Sequence, residues 1–148
     1  MFRPIFMLLV AVFAHNHALA VDIEEAWMRA MPPGQPTAAA YLTLSNPDRD
    51  AVTLVEARSE MVGRIELHRS IQEDGMWRMR RVPDLLVPAG GEVKMAPGGI
   101  HLMLFELERS LREGETMPLT LEFDTGETRQ VDVSVRSLDA GAGHHHHH

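Results

Sequence analysis

The chain has 148 residues, a formal charge of −7 and no cysteine. Its hydrophobic content of 45% is enough for the core of a single domain. The acidic balance argues against a nucleic-acid binder, because such proteins present a basic surface. The lack of cysteine excludes disulfides, thiolate-bound zinc, iron–sulfur clusters, a cysteine nucleophile and a blue-copper centre, which needs a thiolate ligand.

Residues 1–20 have the features of a secretory signal peptide. Arg3 supplies a positive charge, an apolar run follows over 5–14, and Ala18-Leu19-Ala20 resembles a cleavage site. A membrane anchor is the less favoured alternative, because the apolar run is short for a bilayer. We therefore expect cleavage after Ala20, export from the cytoplasm and no stable membrane insertion of the remaining chain.

The next segment, 21–138, is predicted to be one all-β domain. Apolar and polar residues alternate over 41–45, 119–123 and 131–135, and short apolar runs occur at 52–55 and 100–104. Sequences rich in Gly, Pro, Asn and Asp separate these runs at intervals typical of a β-sandwich or barrel. No stretch shows a long helical period, and no linker divides the segment.

The tail, 139–148, ends in five histidines after a Gly-Ala-Gly spacer. This pattern is typical of a purification tag, and a native metal-binding tail is the minor alternative. Without the signal peptide and the tag, only two of the nine histidines remain, His68 and His101.

These two histidines form a spaced set with two methionines. The pattern is His-x10-Met-x21-His-x-Met, and its members are His68, Met79, His101 and Met103. Because alternate residues of a strand share a face, we expect His101 and Met103 to point the same way and Leu102 and Leu104 to point into the core.

The position of Met79 relative to His68 depends on the turn near Asp74-Gly75. A four-residue loop would place Met79 directly opposite His68 across a hairpin. A two-residue turn would place Arg81 there instead and would weaken the case for Met79 as a ligand. The sequence does not decide between the two registers.

Two imidazoles and two thioethers make a soft donor set. Thioethers bind Cu(I) well and bind Zn²⁺, Mg²⁺ or Ca²⁺ poorly. Residues at strand ends and hairpins lie at the rim of a sandwich, so we expect an exposed site. The alternative is that the methionines are core filler and the histidines structural.

The sequence also resembles the PCuAC family of periplasmic copper chaperones over about residues 21–136. Beyond the His–Met spacing, the resemblance is carried by these segments: Ala26-Trp27, Pro32-Pro33-Gly34, 38–44, Glu66-Leu67-His68, 76–80, 88–91 and 97–104. It implies a cupredoxin-like Greek-key β-sandwich or barrel that binds one Cu(I) per chain through His68, Met79, His101 and Met103.

The resemblance also implies a location and partners. It places the protein in the periplasm, carrying copper towards the CuA domain of cytochrome c oxidase subunit II, with a Sco-type thiol protein as a possible companion. Nothing in the sequence suggests more than a monomer.

Other functions are less well supported by the sequence. The domain has no G-x-S-x-G, no H-E-x-x-H and no phosphate-binding loop, so no enzyme is proposed. The alternatives are a copper-buffering protein without a dedicated recipient, a structural β-sandwich module that binds no metal, and a redox copper protein, which the lack of a cysteine ligand disfavours.

Overall fold

The computed structural model describes residues 20–137, and all its regular elements are β-strands. The predicted signal peptide and tail fall almost wholly outside the described residues. The ten strands are β1 (Asp22–Arg29), β2 (Ala38–Ser45), β3 (Val52–Arg58), β4 (Val62–Glu73), β5 (Met76–Arg81), β6 (Leu85–Val87), β7 (Glu92–Lys94), β8 (Ile100–Leu107), β9 (Thr116–Phe123) and β10 (Thr128–Arg136). The prediction of an all-β domain is confirmed.

The strands form one mixed, open sheet in the order β5-β4-β8-β2-β1-β10-β9-β3-β6, with β7 also paired to β2. Only β1 and β10 run parallel, and every other pair is antiparallel. Strands distant in sequence are neighbours in the sheet, as in Greek-key sandwiches; β8, for example, lies between β4 and β2. This is the cupredoxin-like arrangement expected from the resemblance.

The alternating strands supply the core. On β9 the buried positions are every second residue, Met117, Leu119, Leu121 and Phe123, while the residues between them are exposed or half-buried. Strand β10 buries Val133 and Val135 in the same way. The period of two therefore places one face of each strand inward, as the sequence predicts.

Strand β1 has no such regular pattern in the sequence. Its register against β2 shifts between Glu24 and Trp27, and Glu25 has φ of 50°. A β-bulge adds one residue and breaks the alternation of faces. For this reason the sequence analysis assigned no strand to residues 22–29.

Four adjacent strands, β2, β8, β4 and β5, carry the candidate site. In the β4–β8 pair, Leu67 lies opposite Leu102 and His68 lies opposite His101. Leu102 and Leu104 are buried in the core, as predicted. The histidines therefore occupy the other face of the same two strands.

Removing core volume behind the site should destabilise the fold. Leu104 is fully buried, and truncating such a residue costs about 2–5 kcal/mol. We expect Leu104→Ala to lower the free energy of unfolding by that amount. Leu86→Ala is the matched control, because Leu86 is 58% exposed. Denaturant unfolding of both variants checks this; equal losses would contradict the described core.

Candidate metal centre

The two histidines of the domain lie side by side. His68 and His101 are cross-strand partners on β4 and β8, and their ring centroids are 6.0 Å apart. The ring of Tyr41, on β2, lies 6.4 Å from His101 on its other side. His101 is thus flanked by rings from both neighbouring strands and is only 3% exposed.

Each imidazole uses one nitrogen in a hydrogen bond. Nδ1 of His101 is 3.0 Å from the carbonyl oxygen of Gly99, and Nε2 of His68 is 2.9 Å from Oε2 of Glu66. The remaining nitrogens, Nδ1 of His68 and Nε2 of His101, are buried and have no hydrogen-bond partner among the described residues. Buried polar atoms are nearly always partnered, so two such nitrogens on adjacent rings indicate a place for a ligand.

The two methionines lie on the same face of the sheet. Met103 is partly buried; it lies opposite Glu66 on one side and Ala39 on the other, two residues along β8 from His101. Met79 lies opposite Ser70, two residues along β4 from His68. Because paired residues and alternate residues share a face, all four side chains of the His–Met set project from one side of the sheet.

The β4–β5 hairpin settles the register that the sequence left open. Glu73 pairs with Met76, which leaves Asp74 and Gly75 as a two-residue turn with φ of 51° and 76°. Positive φ at both positions is the type I′ geometry that Asp-Gly favours. Arg81, rather than Met79, therefore lies opposite His68, and Met79 is the diagonal neighbour of His68. This is the register that weakens the case for Met79 as a ligand.

The expectation of an exposed site is only partly right. Met79 is 60% exposed, but His101 is buried and the side chain of His68 is 15% exposed. The flanking rings of Tyr41 and Phe105 account for the difference, since they cover the imidazoles from neighbouring positions. Exposure is concentrated on the hairpin that carries Met79.

The sequence analysis did not single out Glu66 as part of the site. Its side chain is largely buried, and it contacts both His68 and Arg64, whose Nε is 3.0 Å from Oε1 of Glu66. The hydrogen bond to His68, followed by the charges of Arg81 and Arg64, lowers the pKa of the Glu66 carboxyl despite its desolvation. Glu66 is therefore ionised at neutral pH. The sequence offered one signal for this contact: Glu66 lies two residues before His68 on a strand, so both side chains share a face.

Gly99 is the second residue that the sequence analysis left without a role. It follows Gly98, whose φ of 83° suits glycine, in the turn before β8. Its carbonyl oxygen accepts hydrogen bonds from the Ser70 amide and from His101. This turn orients the imidazole of His101.

The other methionines do not join the set. Met95 is 2% exposed and belongs to the core, whereas Met76 is 56% exposed and lies on the opposite face of β5 from Met79. Residues 20–137 contain no group of three or more His, Cys, Asp or Glu that could hold a metal ion. The two imidazoles and two thioethers that share one face of the sheet are soft donors.

The comparison with known families decides the family. A family model described as "Putative lipoprotein LpqE-like" matches residues 21–135. The chain belongs to the LpqE-like family. Within residues 20–137, no helix is long and apolar enough to cross a membrane.

This LpqE-like chain is similar to one protein compared by sequence and to two proteins of known structure. "Putative lipoprotein Lxx21020" of Leifsonia xyli subsp. xyli is 30% identical over 124 residues, covering 83% of this chain and 74% of its own. The solution structure of Cu(I)-DR1885 from Deinococcus radiodurans is 35% identical, covers 83% of each chain and has a TM-score of 0.66. The copper-bound PCuAC domain from PmoF2 is 24% identical, with 82% of this chain and 98% of that domain covered and a TM-score of 0.68. The resemblance to PCuAC domains is confirmed.

Removing the thioether of Met79 should leave the fold intact. Exposed side chains contribute little to stability, so we expect Met79→Ala to change the free energy of unfolding by less than about 0.5 kcal/mol. Met95→Ala, in the core, should cost about 2–5 kcal/mol. Thermal or denaturant unfolding without metal measures both. A large loss in Met79→Ala would show that Met79 packs against the domain.

Proposed function

We propose that this chain is an exported copper chaperone that carries one Cu(I) on His68, Met79, His101 and Met103. The observation that carries the proposal is a pair of buried imidazole nitrogens, without a hydrogen-bond partner within residues 20–137, on the face that also holds both thioethers. The Cu(I)-bound state of DR1885, a relative at 35% identity, supports it.

The imidazole and thioether donors suit Cu(I). Imidazole and thioether ligands hold Cu(I) without thiolates, which an oxidising compartment converts to disulfides. The family's description as a lipoprotein agrees with export, and we place the protein in the periplasm.

The geometry also supports transfer rather than permanent storage. His101 is buried at the base of the site, while Met79 is 60% exposed on the β5 strand. Ligand exchange can begin at the exposed thioether, which an acceptor's ligand replaces while the histidines still hold the ion. We propose the CuA domain of cytochrome c oxidase subunit II as the recipient, with a Sco-type thiol protein as a possible companion and the chaperone acting as a monomer.

The ligand assignment is tested by Cu(I) titration in competition with a chromogenic chelator. The titration uses protein from which the signal peptide and the five terminal histidines have been removed. The histidine run must be absent because it binds copper itself. We expect one Cu(I) per chain and a loss of affinity of at least about tenfold, or about 1.4 kcal/mol, in Met79→Ala and in Met103→Ala. Each variant removes one soft ligand.

Met76→Ala is the control for this titration. Met76 is exposed on the same strand as Met79 but on the opposite face, so its truncation should change affinity by less than about twofold. Equal losses in Met76→Ala and Met79→Ala would contradict the assignment. No binding by the wild-type chain would contradict the proposed function.

The recipient is tested separately. Copper-loaded protein is mixed with the apo CuA domain, and the optical absorption of the assembled CuA centre is followed under a defined redox buffer. Transfer faster than from free copper–chelator complex at the same free Cu(I) supports a chaperone. Transfer at the chelator's rate would instead support copper buffering without a dedicated recipient.

A further inference from the structure

Glu66 contacts a candidate ligand from outside the His–Met set. It lies two residues before His68 on β4, on the same face, and its Oε2 is 2.9 Å from Nε2 of His68. Its other oxygen, Oε1, lies 3.0 Å from Nε of Arg64. The guanidinium of Arg64 lies 4.4 Å from the centre of the Phe105 ring, which holds it in place. Both carboxylate oxygens are thus engaged, and the group has a fixed orientation.

The chemistry of this contact specifies where the proton of His68 lies. An ionised carboxylate only accepts hydrogen bonds, so Nε2 of a neutral His68 must carry the hydrogen. The lone pair is then on Nδ1, which is the buried nitrogen without a partner.

The contact of His101 specifies the opposite arrangement. The carbonyl oxygen of Gly99 also only accepts, so Nδ1 of His101 carries the hydrogen and Nε2 carries the lone pair. Nε2 is again the buried nitrogen without a partner. One ring is held by a side chain and the other by the backbone, and the two contacts specify opposite tautomers.

We propose that Glu66 is a positioning residue that fixes His68 as the Nε2–H tautomer, so that His68 binds Cu(I) through Nδ1 and His101 binds it through Nε2. The proposal rests on the proposed function and adds to it the role of a residue that does not touch the metal. Metal-binding histidines commonly donate their second N–H to a carboxylate or carbonyl, which orients the ring and makes the free nitrogen a better donor. A carboxylate beside a cationic cargo also offsets its charge.

The first test uses the wild-type apo-protein, uniformly labelled with ¹⁵N. At about pH 8, above the ordinary pKa of histidine, two-bond ¹⁵N–¹H correlations report the tautomer of each ring. We expect His68 as Nε2–H and His101 as Nδ1–H. An Nδ1–H tautomer at His68 would overturn the proposal without any variant being made.

The second test compares Glu66→Gln with Glu73→Gln. The amide of Gln both donates and accepts, so Glu66→Gln should give a mixture of tautomers at His68 and leave His101 unchanged. The affinity for Cu(I) should fall about tenfold or more. Glu73 is the matched control, because it lies on β4 and is 2.8 Å from Nη2 of Arg80 but contacts no histidine. Glu73→Gln should change neither tautomer, and affinity by less than about twofold.

The outcomes separate the two proposals. If the wild-type chain binds Cu(I) and Glu66→Gln binds it equally well, the role of Glu66 is wrong and the proposed function stands. If the wild-type chain binds no Cu(I), the proposed function is wrong, and the role of Glu66 falls with it.

Discussion

The pairing of β4 with β8 is the constraint on which the rest of the site depends. It places Leu67 opposite Leu102 on the core face and His68 opposite His101 on the outer face. A slip of one residue would turn Leu67 and Leu102 out of the core and the two histidines into it, which would place polar rings among the apolar core side chains. The hydrophobic core therefore fixes the position of the imidazoles.

The candidate site spans both the inner strands of the sheet and its edge. The histidines and Met103 lie on strands that are paired on both sides, whereas Met79 lies on β5, which is paired only with β4. A Cu(I) bound by all four would be anchored to the well-packed part of the sheet and reached from its edge. Burial of the imidazoles limits access of water, while the flexible thioether of Met79, in the proposed site, would be a ligand that can leave without moving the sheet.

The regular strands could be predicted because their faces alternate without interruption. Residues 119–123 and 131–135 show this, and both segments form strands over a buried face. The bulge at Glu25 hid β1, since the extra residue interrupts the alternation of apolar and polar positions by which a strand is predicted. The sequence thus predicted the class of fold and most strands, but not the position at which the pairing between β1 and β2 is irregular.

The structure places the four side chains of the His–Met set on one face of the sheet, and their role as ligands stays a prediction. The spacing and the soft chemistry singled out the four side chains, and the resemblance to PCuAC domains added their grouping. Burial of His101 could not be read from the sequence, because it depends on Tyr41, which is 60 residues away and reaches it through the β2–β8 pairing. Glu66 and His68 are close in sequence, so their contact is local. The sequence could not show that the other ring nitrogen of His68, Nδ1, is buried without a hydrogen-bond partner among the described residues.

The exposed edge strand β5 has a consequence for how copies of the protein meet. All six of its residues are exposed, and three of them are arginines, Arg78, Arg80 and Arg81. An open strand edge is a template for pairing with the same edge of another molecule. Here such a pairing would bring guanidinium groups against guanidinium groups, so charge repulsion opposes self-association through this edge. An acidic surface would meet no such barrier.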